Sequence, residues 1–372
     1  MRIGTVREIK RHEYRVGLTP SCVRAFVGQG HKVLVEEGCG MAAGFANEEY
    51  VAAGGQVMAD RRRLYDACDM IVKVKEPQPQ EFDLFHPGQI LYAYLHLAAD
   101  AHLLEGLMRR GVHAVAYETI EENGRLPCLQ PMSAIAGRMS VQEGARQLEK
   151  PCRGRGILLG GVPGVRPGRV TILGGGVVGA NACRIALGMG ADVTVLDIDA
   201  ARMEYLEGLF DMRVTVLYNN PSNLETALAQ SDLLIGAVLV PAARTPVLVR
   251  REHLGRMKKG AVIVDVAVDQ GGCVETTRPT THDDPVFEVD GVIHYCVANM
   301  PGAVPLTSTL ALTGATLPYG LLIAAHGLEE ACRRSLPLRR GLNIYRGKCA
   351  NARVAQALNQ PCSPPETCLN LE

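Results

Sequence analysis

Two hydrophobic patterns alternate along the first third of the chain. Short runs of consecutive apolar residues are typical of buried strands, and stretches with apolar residues every three to four positions are typical of helices. This alternation implies right-handed crossovers and a mostly parallel sheet. Strands are predicted at 2–7, 32–36, 70–74, 89–97 and 112–117, and helices at 20–30, 48–53, 61–67 and 99–110.

The alternation restarts after a predicted helix at 133–150 and a loop rich in Gly, Arg and Pro at 154–168. Six apolar strands connected by crossovers are the number expected in a complete dinucleotide-binding domain. These strands are predicted at 170–173, 192–196, 214–217, 233–238, 262–266 and 292–297.

The end of the chain has a helical pattern from residue 306 to 334, then a loop-rich stretch and a short helix near 353–358. Residues 360–372 are expected to trail on the surface. Because these helices have no sheet of their own, we expect them to pack on the first domain. The prediction is an α/β fold with two Rossmann-like domains and parallel sheets. The first domain is discontinuous, at 1–128 and 305–372, and is completed by the C-terminal helices, while the second covers 129–304.

Composition excludes several classes of protein. The 372 residues carry 39 Lys and Arg against 39 Asp and Glu, so a basic footprint for nucleic acid is not expected. The N-terminus has no apolar signal segment, and no run approaches 18 uninterrupted apolar residues, so we expect a cytoplasmic protein without a membrane partner. The twelve cysteines form no C-x-x-C pair and are expected to be reduced. No metal site is expected, because His282-Asp283-Asp284 is better explained as a solvated loop.

A glycine-rich turn follows the predicted strand at 170–173. It has the spacing G-x-G-x-x-G at Gly174, Gly176 and Gly179, and is followed by a helical stretch and then by a strand that ends at Asp197. This context is the one that indicates a dinucleotide site: the glycines allow the tight turn, the approach of the pyrophosphate and the close helix packing. Asp197 would accept from ribose hydroxyls and repel a 2′-phosphate, which favours NAD, although the nearby Arg202 leaves NADP open.

Three polar residues lie close to strand ends in the first domain. Arg15 lies between the first strand and the first helix, and Lys75 and His96 each close an apolar strand. Arg can bind a carboxylate with two parallel hydrogen bonds, Lys can polarise a carbonyl, and His carries protons near neutral pH. Each residue alone is also explained by an ordinary structural role, but parallel strands direct their carboxyl ends to one crevice. Together the three indicate a substrate site.

These residues lie within motifs that cover the chain from Arg2 to about Arg334. The sequence resembles the family of the alanine dehydrogenases and the nicotinamide nucleotide transhydrogenase alpha subunit, and it resembles the alanine dehydrogenases most. The motifs that carry the resemblance include Arg7-Glu8, Glu13-Tyr14-Arg15-Val16, Val72-Lys73-Val74-Lys75-Glu76-Pro77, Leu95-His96-Leu97-Ala98-Ala99, Ala116-Tyr117-Glu118-Thr119, Pro131-Met132-Ser133, Gly160-Gly161-Val162-Pro163-Gly164-Val165, Asp265-Val266-Ala267-Val268-Asp269, Arg278-Pro279-Thr280-Thr281 and Val297-Ala298-Asn299-Met300-Pro301.

The resemblance implies reversible NAD-dependent oxidative deamination of L-alanine to pyruvate and ammonia, in a homo-oligomer that the family suggests is a hexamer. It implies that Arg15 and Lys75 bind substrate and that His96 and Asp269 are catalytic, with Asp269 reaching the substrate after domain closure. The residues implied to contact the cofactor, besides the three glycines, are Ser133, Val177, Val178, Asp197, Arg202, Asn219, Val238, Leu239, Val266, Ala267, Val268, Asp269, Arg278, Val297, Ala298, Asn299 and Met300.

Two parts of the cofactor site depart from the residues that are usual in the family. Asn219 stands where the family often has serine, and Val177 and Val178 are bulkier than usual, which predicts altered cofactor affinity.

The sequence also leaves three other functions open. A transhydrogenase-like subunit would need a membrane partner and would not need Lys75 and His96 as catalysts. A relative of saccharopine dehydrogenase would take larger substrates, and a nucleotide-sensing module would bind NADH without turnover.

Overall fold

The computed structural model describes residues 1–238 and 245–371. The chain divides into two compact units: Met1–Met132 with Gly302–Glu372, and Ser133–Pro301. Each unit contains one sheet whose strands are mostly parallel and are connected through helices. The predicted fold class is confirmed.

The sheet of the first unit has the order β15-β14-β6-β5-β4-β1-β2-β3. The first six strands are mutually parallel, and the order changes direction between β1 and β4, which makes that point the expected ligand crevice. The strands are β1 (Arg2–Thr5), β2 (Lys32–Glu36), β3 (Gln56–Met58), β4 (Met70–Val72), β5 (Ile90–Ala93), β6 (His113–Ala116), β14 (Leu342–Tyr345) and β15 (Lys348–Cys349).

Local capping explains where the early helices begin. The side chains of Thr19, Asp60 and Asp100 each accept a hydrogen bond from the backbone N–H three residues later, at 3.3, 3.1 and 3.0 Å, and so satisfy a donor that the helix leaves unpaired. The helices of this unit are α1 (Pro20–Gly28), α2 (Asn47–Ala52), α3 (Arg61–Ala67), α4 (Ala101–Arg109), the first residues of α5 (Gln130–Gln147), α10 (Pro305–His326), α11 (Leu328–Arg334), α12 (Leu336–Gly341), α13 (Ala352–Ala357) and α14 (Pro365–Cys368).

The C-terminal segment contributes more than the predicted helices. Strand β14 pairs antiparallel with β6, and β15 pairs with β14, so residues predicted as loop extend the first sheet. The prediction that the tail trails on the surface is also wrong for its last turn. Leu369 is buried, and its carbonyl accepts a hydrogen bond from Arg333 Nη2 at 2.9 Å.

Helix α10 packs within the first unit. Its Thr309 hydroxyl accepts from Val16 N at 3.3 Å, and its Thr316 carbonyl accepts from the Tyr92 hydroxyl at 2.9 Å. The helix reaches a mean hydropathy of 1.3 over 18 residues and is long enough to cross a membrane. The core helix of a soluble protein meets the same criteria, so this property is weak evidence for a membrane span.

The sheet of the second unit has the order β12-β13-β11-β10-β7-β8-β9, and only the edge strand β12 runs antiparallel. The six predicted strands are present, and β12 is an additional strand that the sequence analysis missed. The strands are β7 (Arg169–Leu173), β8 (Asp192–Asp197), β9 (Thr215–Tyr218), β10 (Leu233–Gly236), β11 (Val262–Asp265), β12 (Val286–Val289) and β13 (Val292–Tyr295). The helices are the rest of α5, α6 (Val177–Gly188), α7 (Ala200–Leu209), α8 (Pro221–Gln230) and α9 (Arg251–Leu254).

Candidate active site

Lys75 and His96 come together because the strands that precede them are neighbours in the sheet. Strands β4 and β5 end at Val72 and Ala93, earlier than predicted, but their hydrogen bonding continues from Lys73 N to Tyr92 O and from Tyr94 N to Val74 O, both at 3.0 Å. Because this hydrogen bonding continues, the two segments that follow β4 and β5 remain paired in register beyond the ends of the strands. At its end, Lys75 Nζ lies 3.3 Å from His96 Nε2.

The environment of this pair lowers both pKa values. His96 is exposed at the end of its strand, but the protein atoms around its ring still disfavour the charged form, and the positive charges of Lys75, Lys10 and Arg15 add to that effect. The pKa of His96 therefore lies below 6.5. Desolvation also lowers the pKa of Lys75 from 10.5, with Glu76 opposing the shift and Arg15 adding to it. His96 is therefore a neutral imidazole at pH 7, able to accept a proton from a group bound beside it.

Arg15 is buried, with 2% of its surface exposed, and forms an ion pair with Glu13, which is also buried. Arg15 Nε and Nη2 donate to the two carboxylate oxygens of Glu13 at 2.6 and 2.5 Å. Burial opposes the charge of the guanidinium, but the hydrogen bonds and charge of Glu13 outweigh it and raise the pKa of Arg15. One edge of the guanidinium is thus occupied by Glu13, and on another side Nη1 lies 2.9 Å from Met132 Sδ.

Tyr94 connects these groups, and the sequence analysis did not single it out. Its ring is parallel to that of His96, with centroids 6.0 Å apart, and Lys75 Nζ lies 5.9 Å from its centroid. Its hydroxyl donates to Cys128 O at 2.5 Å, which fixes the ring. The only available signal was its position two residues before His96, on the same face of an extended chain.

The glycine-rich turn of the second unit has the predicted strand–turn–helix structure. Gly174 follows β7 with φ of +94°, a conformation that favours glycine. A Cβ atom on Gly179 would lie 1.8 Å from the Gly174 carbonyl oxygen, so only glycine lets the helix pack this closely. A Cβ on Gly176 would meet no heavy atom within 4 Å, which leaves open space at the N-terminus of α6.

Asp197 ends β8 beside this turn. Its Oδ2 accepts from Gly175 N at 2.5 Å, and its Oδ1 accepts from Ile198 N and Asp199 N at 2.7 and 2.9 Å. Arg202 also lies beside this turn, where its Nη2 donates to Gly176 O at 3.2 Å and its Nε donates to the carbonyl of Gly175. Arg202 is therefore engaged with the turn itself.

Most of the other candidate cofactor contacts follow the ends of parallel strands in the same sheet. Leu239 lies outside the described residues, and Ser133 and Arg278 do not follow a strand. Ser133 is half-buried in α5, and the exposed Arg278 stacks on Phe287, with its guanidinium carbon 4.4 Å from the ring centroid. Those at the strand ends are Val177 and Val178 after β7, Asn219 after β9, Val238 after β10, Val266, Ala267, Val268 and Asp269 after β11, and Val297, Ala298, Asn299 and Met300 after β13.

Among residues 1–238 and 245–371, no group of three or more His, Cys, Asp or Glu side chains is arranged to hold a metal ion. His282 Nε2 instead lies 2.9 Å from the backbone oxygen of Asn299.

Comparison with known proteins gives the family. Residues 4–136 match the N-terminal domain of alanine dehydrogenase/PNT, and residues 140–352 match its C-terminal domain. The chain is 51% identical over 373 residues to an alanine dehydrogenase of Bacillus subtilis (strain 168), covering 100% of this chain and 98% of the relative. It is also 51% identical over 372 residues to an alanine dehydrogenase of Methanococcus maripaludis, covering 100% of both.

Solved structures agree with this result. An L-alanine dehydrogenase structure matches with a TM-score of 0.94 and 54% identity, over 96% of this chain and 99% of that chain. A transhydrogenase from Sinorhizobium meliloti matches with a TM-score of 0.82 and 22% identity, over 95% of this chain and 99% of that chain, and shares the fold. The resemblance predicted from the sequence is confirmed: the chain belongs to the alanine dehydrogenase/PNT family.

Proposed function

We propose that this protein is an L-alanine dehydrogenase, which converts L-alanine and water to pyruvate and ammonia with NAD, and catalyses the reverse reaction. Full-length relatives at 51% identity support this activity. The observation that carries it is the Lys75–His96 pair, 3.3 Å apart and within the field of the buried Arg15. This combination supplies a proton carrier, a carbonyl-polarising cation and a carboxylate-binding cation in one place.

The second unit fits NAD on two observations. Gly176 leaves open space at the N-terminus of a 12-residue helix, where backbone N–H groups and the helix dipole favour a pyrophosphate. The carboxylate of Asp197, half-buried at the end of β8, has lone pairs beyond its three backbone bonds with which to accept from ribose hydroxyls. It would repel a 2′-phosphate, so we propose NAD rather than NADP.

The residues that hold the cofactor are proposed from the strand ends and the family motifs. Gly174, Gly176 and Gly179 would form the turn that holds the pyrophosphate, Asp197 would accept from the ribose hydroxyls, and Arg202 would contact the cofactor beside the turn. When bound, NAD supplies the acceptor for the hydride of alanine Cα. The further contacts are proposed at Ser133, Val177, Val178, Asn219, Val238, Leu239, Val266, Ala267, Val268, Asp269, Arg278, Val297, Ala298, Asn299 and Met300.

The residues of the first unit act on the substrate. Arg15 binds the carboxylate of the substrate through its guanidinium, whose charge the buried Glu13 stabilises. His96, neutral at pH 7, takes the proton of the water that becomes the ketone oxygen and returns a proton to the departing nitrogen. The Lys75 ammonium polarises the ketone oxygen of pyruvate, and Asp269 balances positive charge on the substrate nitrogen.

The remaining assignments follow the sequence analysis. The discontinuous domain at 1–128 and 305–372 is proposed to bind substrate, and the domain at 129–304 is proposed to bind NAD. The family supports a homohexamer in the cytoplasm, with L-alanine, pyruvate and ammonia as its small-molecule partners and with no nucleic acid or membrane partner.

A substrate panel tests the function. NADH oxidation is followed at 340 nm with ammonia and pyruvate, glyoxylate or larger 2-oxo acids, and the matched controls omit ammonia or the oxo acid. We expect turnover that requires both substrates and is fastest with pyruvate. Oxidation of NADH that depends on a second nucleotide instead of pyruvate and ammonia would indicate transhydrogenase chemistry, and NADH binding without turnover would indicate a sensing module.

A further inference from the structure

The carboxylates of Glu8 and Glu118 accept hydrogen bonds from the backbone N–H groups of Lys75, His96 and the residues that precede them. Both belong to sequence motifs to which the function assigned no role. We propose that Glu8 and Glu118 are positioning residues, which fix Lys75 and His96 by accepting hydrogen bonds from the backbone N–H groups at these two positions. The inference rests on the catalytic roles proposed above for Lys75 and His96.

Glu118 fixes His96. Its Oε1 accepts from His96 N at 2.6 Å and from Leu95 N at 3.2 Å, and its Oε2 lies 3.3 Å from Leu95 N. The backbone that these hydrogen bonds hold has an unusual conformation: His96 has φ of +49° and ψ of +35°. A non-glycine residue in this left-handed region is strained and persists only where its surroundings hold it. The Glu118 carboxylate supplies that restraint.

Glu8 has the equivalent contacts at Lys75. Its Oε1 accepts from Val74 N at 2.6 Å and from Lys75 N at 3.4 Å. Glu8 is itself held by the fully buried Lys73, whose Nζ lies 3.1 Å from Glu8 Oε2 and 3.0 Å from Glu81 Oε1. A buried cation between two carboxylates therefore orients Glu8, and Glu8 in turn orients the segment that carries Lys75.

The two contacts are similar in geometry although they come from different elements. Glu8 follows β1, and Glu118 follows β6, so they reach the pair from the strands on either side of β4 and β5. Each carboxylate bonds two successive N–H groups at a point where the sheet no longer supplies acceptors. The 3.3 Å distance between Lys75 Nζ and His96 Nε2 depends on both backbones, and a misplacement of about 1 Å can reduce a rate by roughly 10²-fold.

Two variants of Glu118 distinguish the positioning of His96 by a hydrogen-bond acceptor from an effect of the negative charge of Glu118. Glu118→Gln keeps an oxygen of the same reach but loses the negative charge, whereas Glu118→Ala loses both. We expect Glu118→Ala to lower kcat for pyruvate amination by roughly 10²-fold, with the KM for pyruvate changed by less than about threefold and NADH binding unchanged by fluorescence titration. Glu118→Gln should retain kcat within about tenfold of the parent. Glu105→Ala, at an exposed position in α4, is the control and should match the parent.

Equal kcat losses in the Gln and Ala variants would overturn the proposal, because charge and not the hydrogen-bond acceptor would then be responsible. A kcat for Glu118→Ala within threefold of the parent would overturn it as well. If the Ala variant does not fold, the Gln variant decides: retention of kcat within tenfold supports positioning, and any larger loss contradicts it. For Lys75 the equivalent variant is Glu8→Gln, for which the same limits apply.

A crystal structure of Glu118→Ala gives a readout that does not depend on turnover. We expect the left-handed conformation of His96 to relax and the Lys75 Nζ–His96 Nε2 distance to increase, whereas Glu118→Gln should preserve both. An unchanged His96 in the Ala variant would contradict the proposal. Failure of the unmodified protein to aminate pyruvate would instead refute the proposed function, and this structural comparison would remain valid.

Discussion

The contact between Lys75 and His96 predicts strong energetic coupling between the two residues. Each is expected to reduce turnover when replaced, but their separation of 3.3 Å means that each replacement also removes the partner of the other. A double-mutant cycle with Lys75→Met, His96→Ala and the double variant measures this coupling, since distant sites add within about 0.5 kcal/mol and groups in one network do not.

The magnitude follows from the contact. A hydrogen bond to a charged group contributes about 1.5–3 kcal/mol, and each 1.36 kcal/mol corresponds to tenfold in rate, so the coupling in kcat should be about 10- to 150-fold. Loss of a general acid–base group costs roughly 10²- to 10⁴-fold. We therefore expect His96→Ala to lose that much, and the double variant to be 10- to 150-fold more active than the product of the single losses predicts.

The assay is steady-state amination of pyruvate at saturating NADH and ammonia. NADH dissociation constants are measured by fluorescence for every variant, so that a loss of cofactor binding is not counted as a loss of catalysis. The control cycle pairs His96→Ala with Lys32→Met, an exposed lysine at the start of β2, and should be additive within about 0.5 kcal/mol. Additivity in the Lys75–His96 cycle would show that the two side chains act independently and would refute the reasoning.

Three further predictions concern the cofactor turn and the His96 base. Asp197→Ala should reduce the preference for NAD over NADP, measured as the ratio of the two kcat/KM values; an unmodified protein that uses both equally well would contradict the assignment. Gly179→Ala should weaken NADH binding by about 5-fold or more, because its Cβ would lie 1.8 Å from the Gly174 oxygen and overpacking costs about 1–3 kcal/mol; unchanged affinity in a fluorescence titration would contradict the fit. The pKa of His96 can be measured from the pH dependence of its carbethoxylation, followed by peptide mass spectrometry. It should lie below 6.5 and should rise in Lys75→Met, since the lysine charge disfavours the imidazolium. A pKa at or above 6.5 in the unmodified protein would contradict this environment.

The strands and helices of both sheets were largely predictable because their patterns are strong. A buried parallel strand is a continuous apolar run, and a helix that covers a sheet has one apolar face. The glycine-rich turn was also predictable, since a G-x-G-x-x-G sequence needs its particular strand and helix context, which the flanking residues supply.

Four strands were missed: β3, a three-residue strand at the edge of the first sheet, and three strands that lie in hairpins, β12, β14 and β15. Strands β12 and β13 are joined by Asp290-Gly291, and β14 and β15 by Arg346-Gly347, with positive φ at all four residues. Two-residue turns of this kind are a known hairpin signal, but the missed strands β12, β14 and β15 are only two to four residues long, and this length gives a weak pattern.

The surroundings of the catalytic residues were not predictable from the pattern. Glu8, Glu13 and Lys73 are buried charged residues, and a sequence alone gives no reason to bury a charge, because the cost is high unless a partner is present. The residues that pair with these charges lie on other elements or two positions along the same loop, and only the folded structure brings them into contact. The left-handed conformation of His96 is equally absent from the pattern of residues.

The most direct test of the central claim follows the hydrogen on alanine Cα. L-alanine with deuterium at Cα is incubated with the protein and NAD, and the masses of NADH and pyruvate and the deuterium content of the water are measured. The account predicts that the deuterium is transferred to NADH and that pyruvate and ammonia form in equal amounts with it. Release of the deuterium to water, without reduction of NAD, would contradict hydride transfer and with it the proposed function.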